Sequence, residues 1–249
     1  APSAVRADGH AFTRRGKRPF VTPRALDGDE IAGIVEQFRR AAKLAVEARF
    51  DGIEVHAANG YLLDEFLRDK TNLRHDDYGG PVLNRVRLTI EVAQAIAEVW
   101  GPGRVGVRLS PFNTSNDIAD SHPEETFSLA AKAIAPLSLS YLHIVEPVTP
   151  NANRCLTANL KKGFAGALIA NGGHTADSAA STILRGAADA VSFGVSFIAN
   201  PDLVERFAAG APLNAPDPST FYIGGPRGYV DYPRMAVNSA EAAIAVKVV

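Results

Sequence analysis

Gly52-Ile53-Glu54-Val55-His56-Ala57-Ala58-Asn59-Gly60-Tyr61 reads as a short buried strand that surfaces into a loop carrying three polar groups. Ile53 and Val55 are the β-branched residues of the strand, and His56, Asn59 and Tyr61 follow where such a strand would emerge. Two hydrogen-bond donors and a phenol at one strand end suit a site that polarises a carbonyl.

Working outward, four further segments follow the same pattern of a short apolar run ending in polar residues or glycine. With Gly52 to His56 they are Val105 to Leu109, Tyr141 to Val145, Ala167 to Ala170 and Ala190 to Phe193. Helix-like segments alternate with them, which predicts an α/β fold of parallel strands joined by crossover helices. α/β barrels and open α/β sheets both bind ligands at the C-terminal strand ends. The polar residues there, His56, Arg108, Glu146, Asn171 and Gly194, therefore point to one composite site.

The helices are expected at Asp29 to Ala48, with Ile31, Ile34, Val35, Phe38, Ala42 and Ala45 on one face, and at Val82 to Val99. Others are expected near Pro123 to Ala135, Thr175 to Leu184 and Pro201 to Ala208. Composition fits one globular domain with a sizeable core: 249 residues, 46% hydrophobic, 21% charged, net charge -1. Basic residues are scattered apart from Arg14-Arg15-Gly16-Lys17-Arg18, read as a solvated loop, so nucleic acid is not an expected partner. No apolar run is long enough to span a bilayer, and a membrane partner is not expected. The single Cys155 excludes an internal disulfide, and with no leader-like segment at the start a reducing cytoplasm is the expected setting.

The order of the motifs resembles the old yellow enzyme family of flavin-dependent reductases. The residues that carry the resemblance run from the opening stretch through Leu62 to Asp69, Asn72 to Gly80, Asn84-Arg85, Arg108-Leu109-Ser110-Pro111, Tyr141 to Pro147, Asn171-Gly172-Gly173, Phe193-Gly194, Ile198 to Leu203 and Phe221-Tyr222. The resemblance covers residues 1 to 234 and leaves an alanine- and valine-rich tail, 235 to 249, without counterpart. It implies a (β/α)8 TIM barrel of which five βα units are evident, an opening segment similar to the loop after the family's third strand, and three strands not found in this chain. Five strands cannot close such a barrel. Unpaired strand edges and a half-exposed apolar interior are therefore expected, with self-association through those edges.

The resemblance also implies roles. FMN would be the cofactor, NADPH or NADH the hydride donor, and an activated alkene conjugated to a carbonyl or nitro group the substrate. His56 and Asn59 would hold the substrate oxygen, Tyr61 would deliver a proton, and Tyr222 would flank the mouth of the site, although a lone aromatic would otherwise be read as core. Arg108 would lie beside the flavin ring edge, its bland alternative being an ion pair with Glu146. Asn171, Gly172, Gly173, Gly194 and Val195 would meet the cofactor phosphate.

Three positions depart from the family pattern. Val195 stands where an arginine grips the phosphate, Leu83 stands where a glutamate offers an ion-pair partner to a nearby basic group, and Arg49 occupies a left-handed glycine position at a cost of about 1 kcal/mol. These departures, with the absent strands, leave a second expectation open: a flavin-free, catalytically inactive remnant or interaction protein. A metal-dependent barrel enzyme is the least favoured reading. His56, His143 and His174 fall near strand ends, but no metal-ligand spacing joins them, so no metal is expected.

Overall fold

A computed structural model describes residues 1–13, 15–148 and 155–235. The segment 236–249, nearly all of the tail set apart by sequence, lies outside the described residues. The described chain divides into two compact units, one ending at Ser192 and the other beginning at Phe193.

The first unit opens with an antiparallel hairpin, β1 (His10–Thr13) and β2 (Gly16–Pro19), in which Phe12 pairs with Lys17. The basic cluster expected as a loop thus straddles a hairpin turn, with the residues of β2 exposed. Helix α1 (Glu30–Glu47) follows and leads into β3 (Ile53–Ala57). Between them Arg49 takes φ 62°, the left-handed conformation inferred from its position.

After β3 come α2 (Leu62–Leu67), α3 (Val82–Arg85) and α4 (Arg87–Trp100). The single helix expected over 82–99 is interrupted at Val86, which remains right-handed at φ −80° and ψ −15°, so the break is mild. The remaining elements are β4 (Val105–Leu109), α5 (Pro123–Ile134), β5 (Tyr141–Val145), α6 (Cys155–Gly163), β6 (Ala167–Asn171), α7 (Ala176–Leu184) and β7 (Ala190–Ser192). Thr175 and Ser178 close a reciprocal capping box at the start of α7.

Strands β3 to β7 form one parallel sheet in chain order. The fold is α/β of the (β/α)8-barrel type, represented by five successive strands with their helices. Alternation along each strand sends one set of side chains to the helices and the other to the inner face. Val55, Ala57, Val105, Val107, Leu109, Leu142, Ile144, Leu168 and Ala170 form the helix-facing set and are buried in a core shared with Val92, Ile96, Ala130, Ile134 and Leu160. Helix α1 lies against α4, where Trp100 Nε1 donates to Ala42 O at 3.0 Å.

The expectation of an apolar interior is corrected here. The inner face carries Glu54, His56, Arg108, Tyr141, His143, Asn171 and Ser192 in register with Val145, Ala167 and Ile169, so it is a mixed surface whose polar groups bond one another. Among the described residues, the outer edges of β3 and β7 have no strand partner.

The second unit contains α8 (Val195–Ala199) and α9 (Leu203–Ala209). It is organised by buried Asn200, whose Oδ1 accepts from Asn214 N at 2.7 Å, and by the Arg206–Asp202 ion pair at 2.8 Å. Arg206 also donates to Pro212 O at 2.6 Å, and Phe193 meets Phe207 edge-on at 5.1 Å.

Candidate functional site

The parallel register stacks the inner residues in layers. Glu54, Gly106, Tyr141 and Ala167 make one layer, and His56, Arg108, His143 and Ile169 make the next. Above them Val145, Asn171 and Ser192 share a level. Gly106 is glycine because the Tyr141 ring lies on it: a Cβ there would stand 2.2 Å from the ring.

Polar contacts tie the layers together. His143 Nδ1 lies 2.9 Å from Glu54 Oε2 and its Nε2 lies 2.7 Å from Ser192 Oγ. Asn171 Nδ2 donates to Ser192 O at 3.0 Å, and its Oδ1 accepts from Arg108 Nη2 at 3.1 Å. Burial alone would raise the Glu54 carboxyl, but hydrogen bonds from His143 and Tyr141 and the nearby charges of His143 and Arg108 outweigh it and hold the group below its ordinary value. The Tyr141 phenol is pushed up to about 12 by burial and by the adjacent Glu54.

Arg108 donates to Asn171 rather than pairing with Glu146, whose carboxylate Oε2 lies 3.0 Å from His174 Nε2. The Arg108 Nε is buried and has no hydrogen-bond partner. A buried, unused donor on a cation costs free energy unless something accepts from it. Arg108 is therefore suited to an anionic or electron-rich ring edge placed over the inner face, and in that respect the residues fit a flavin.

His56 and Tyr61 face one another, ring centroids 5.3 Å apart. Burial, and then the positive charge of Arg108, hold the His56 imidazolium pKa below its ordinary range, which favours the neutral ring. Tyr61 immediately precedes α2 as its N-terminal cap position and is 58% exposed. Asn59 turns the chain between them at φ 59°, followed by Gly60 at φ 74°. A Cβ on Gly60 would come within 2.4 Å of Ser115 O, so this turn needs glycine for space as well as conformation.

The turn is held from beneath by residues that sequence reading quoted but gave no role. Asn59 N donates to Ser110 Oγ at 2.7 Å, and Ser110 Oγ donates to Asp64 Oδ2 at 3.1 Å. Gly60 N reaches the same oxygen at 3.0 Å. The other carboxylate oxygen accepts from Arg68 Nε at 2.8 Å, and Arg68 caps the carbonyls of Ser110 and Pro111 while lying 4.6 Å over the Phe127 ring. Asp64 and Arg68 are both fully buried. Their i,i+4 spacing was the available signal, though it reads equally well as a surface pair.

The stretch from Asn72 to Gly80 serves structure. Asn72 is buried and donates to Phe66 O and Tyr78 O, and Arg74 donates to Leu26 O and pairs with Asp76. Leu83 is exposed, and Arg85 nearby keeps a buried Nε without a partner. Gly172 follows Asn171 at φ 127°, where a Cβ would meet Glu146 O at 2.5 Å, and Gly173 follows at φ 61°.

The structure thus brings together His56, Asn59, Tyr61, Arg108, Asn171, Gly172 and Gly173 in the first unit. Gly194, Val195 and Tyr222 belong to the second. There Gly194 precedes α8, Val195 is half-exposed, and Tyr222 is 81% exposed at φ 61°, unlike the bland alternative of a core aromatic. Its N–H donates to Tyr229 Oη at 2.9 Å. Among the described residues no group of three or more His, Cys, Asp or Glu side chains is arranged to hold a metal ion. No described helix is long and apolar enough to cross a membrane.

Comparison with known proteins bears on this arrangement. The profile of the family described as NADH:flavin oxidoreductase / NADH oxidase matches residues 1–214. A probable flavin mononucleotide-dependent alkene reductase of Leishmania infantum is 42% identical over 240 residues, covering 94% of this chain and 66% of that protein. The 12-oxophytodienoate reductase 2 of Arabidopsis thaliana is 40% identical over 222 residues, covering 87% of this chain and 59% of that protein. Among solved structures, morphinone reductase in complex with tetrahydroNAD superposes with a TM-score of 0.88 at 46% identity, over 95% of this chain and 66% of that one. The old yellow enzyme homologue from Zymomonas mobilis does so with 0.90 at 42% identity, over 94% and 68%. The chain spans 66% and 59% of the length of these two curated relatives.

Proposed function

The chain belongs to the NADH:flavin oxidoreductase / NADH oxidase family, the old yellow enzymes, and from that premise we propose that it reduces the activated carbon–carbon double bond of an unsaturated carbonyl or nitro compound, with FMN as cofactor and NADPH or NADH as reductant. The observation that carries this reading is the inner-face cluster itself: His56 beside Tyr61 at 5.3 Å, Asn59 on the turn between them, and Arg108 with its buried Nε unmatched. Relatives described as alkene, 12-oxophytodienoate and morphinone reductases support it.

Bound flavin would supply the hydride chemistry. Arg108 would lie at its ring edge, and Asn171, Gly172 and Gly173, with Gly194 and Val195 as the resemblance implies, would offer backbone N–H groups to its phosphate. Val195 fits that task less well than a cation would, because the charge-assisted contact is absent.

His56 and Asn59 donate hydrogen bonds to the substrate oxygen and stabilise the charge that develops there as the double bond takes hydride, the logic of an oxyanion hole applied to a conjugated alkene. Tyr61 gives its proton to the neighbouring carbon. Tyr222 at the rim, a cytoplasmic setting supported by the single cysteine, and self-association through the edges of β3 and β7 belong to the same proposal. No observation favours the flavin-free remnant.

The test is a pair of half-reactions on the flavin-loaded protein. Tyr61→Phe slows reduction of a cyclic enone and leaves reduction of flavin by NADPH nearly unchanged. Equal loss in both half-reactions would remove Tyr61 from the proton-donor role.

A further inference from the structure

Resting on the reading of His56 and Asn59 as the groups that hold a substrate oxygen, we propose that Asn113 is a positioning residue that fixes which end of the Asn59 amide faces the substrate. A backbone N–H can only donate, whereas a carboxamide can present either its oxygen or its NH2. Ser115 N lies 2.6 Å from the Asn113 side chain, so that side chain must show Ser115 its oxygen. Its NH2 is thereby committed to the other side, where it meets Asn59 Oδ1 at 2.8 Å. Asn59 then has its oxygen engaged by Asn113 and keeps its two N–H groups for a ligand.

The order has no stable alternative. Turning Asn113 over sets N–H against N–H at Ser115, and turning Asn59 over sets NH2 against NH2 between the side chains. The contact is also held in place. Asn116 Nδ2 donates to Asn59 O at 3.0 Å, Asn59 N donates to Ser110 Oγ at 2.7 Å, and Ser115 O packs where Gly60 has no side chain. A backbone donor in the loop after β4 thus dictates, through two amides, that the site accepts a carbonyl or nitro oxygen and disfavours an ammonium or other pure donor.

The experiment uses the full chain labelled with 15N at asparagine side chains, as wild type, Asn113→Asp and Asn59→Ala. The probes are cyclohex-2-enone, an acceptor, and cyclohex-2-enylammonium, a donor. In Asn113→Asp a carboxylate accepts from Ser115 N and from Asn59 Nδ2 together, so the Asn59 amide turns over. One Asn59 N–H proton then shifts downfield and exchanges more slowly than in wild type.

Cyclohexenone binding weakens by about ten- to hundredfold more than in Asn59→Ala, because oxygen now faces oxygen where the truncation leaves only space. The ammonium probe binds more tightly than to wild type. Unchanged Asn59 amide resonances in Asn113→Asp would overturn the proposal, as would cyclohexenone binding that suffers in Asn59→Ala and no further in Asn113→Asp. If the resonances respond as expected while neither variant alters enone binding, the amide order is supported and the assignment of the substrate site is what fails.

Discussion

Replacing Asp64 by asparagine removes one charge from a pair in which both members are buried, Asp64 at 0% and Arg68 at 1% exposure. Arg68 keeps its two backbone carbonyl partners, but these are neutral, and an uncompensated buried cation costs about 3–5 kcal/mol. The substituted side chain offers one oxygen where the carboxylate offers two. Either Arg68 Nε or the Gly60 and Ser110 donors then lose their acceptor, so the loss falls at the upper end of that range.

Urea unfolding followed by Trp100 fluorescence measures it, since Trp100 is the only tryptophan and, at the end of α4, is partly buried against the core and bonded to α1. Adding Arg68→Met to Asp64→Asn removes the stranded charge, so the double variant is no less stable than Asp64→Asn and the two losses are far from additive. A loss below about 1 kcal/mol in Asp64→Asn, or additive losses in the double variant, would refute the reasoning.

The His56 imidazole titrates below its ordinary value because of burial and then Arg108. The unfolded chain therefore takes up that proton first as pH falls through about 6.5, and folded stability declines in that window. An NMR titration of the His56 ring should show its midpoint rising in Arg108→Met; an unmoved midpoint would exclude the electrostatic coupling. Arg49→Gly relieves a left-handed side chain and should raise the urea midpoint by an amount equivalent to about 1 kcal/mol, whereas no gain would mean the turn carries no strain. Val195→Arg should tighten FMN binding about ten- to hundredfold by restoring a charge-assisted phosphate contact, and unchanged affinity would mean that the phosphate does not pass this residue.

What the sequence made legible follows from periodicity. All five parallel strands and the long helices stood out because an alternating or helical apolar face is a local pattern, and the parallel register then places His56 and Arg108 at one level of the inner face with Asn171 on the level above. Less legible were features whose cause is tertiary. The hairpin of β1 and β2 carries charged, exposed residues that read as loop. The short helix α2 lies within a motif that was read for its chemistry.

Asp64 and Arg68 could not be distinguished from a surface i,i+4 pair until burial showed both submerged. Asn113 had no signal, since its role depends on meeting Asn59 from 54 residues away. The interior is more polar than expected because many inner positions of the strands carry polar residues that bond one another across the register, beside Val145, Ala167 and Ile169.

An FMN titration of the full chain beside Arg108→Met asks whether the inner face, with Arg108 at its centre, holds flavin. Saturable binding at one FMN per chain, visible in the flavin absorbance band, is expected, weakening about ten- to hundredfold when the guanidinium is removed. Binding that is absent in the wild-type chain, or equal in the two proteins, would contradict this expectation.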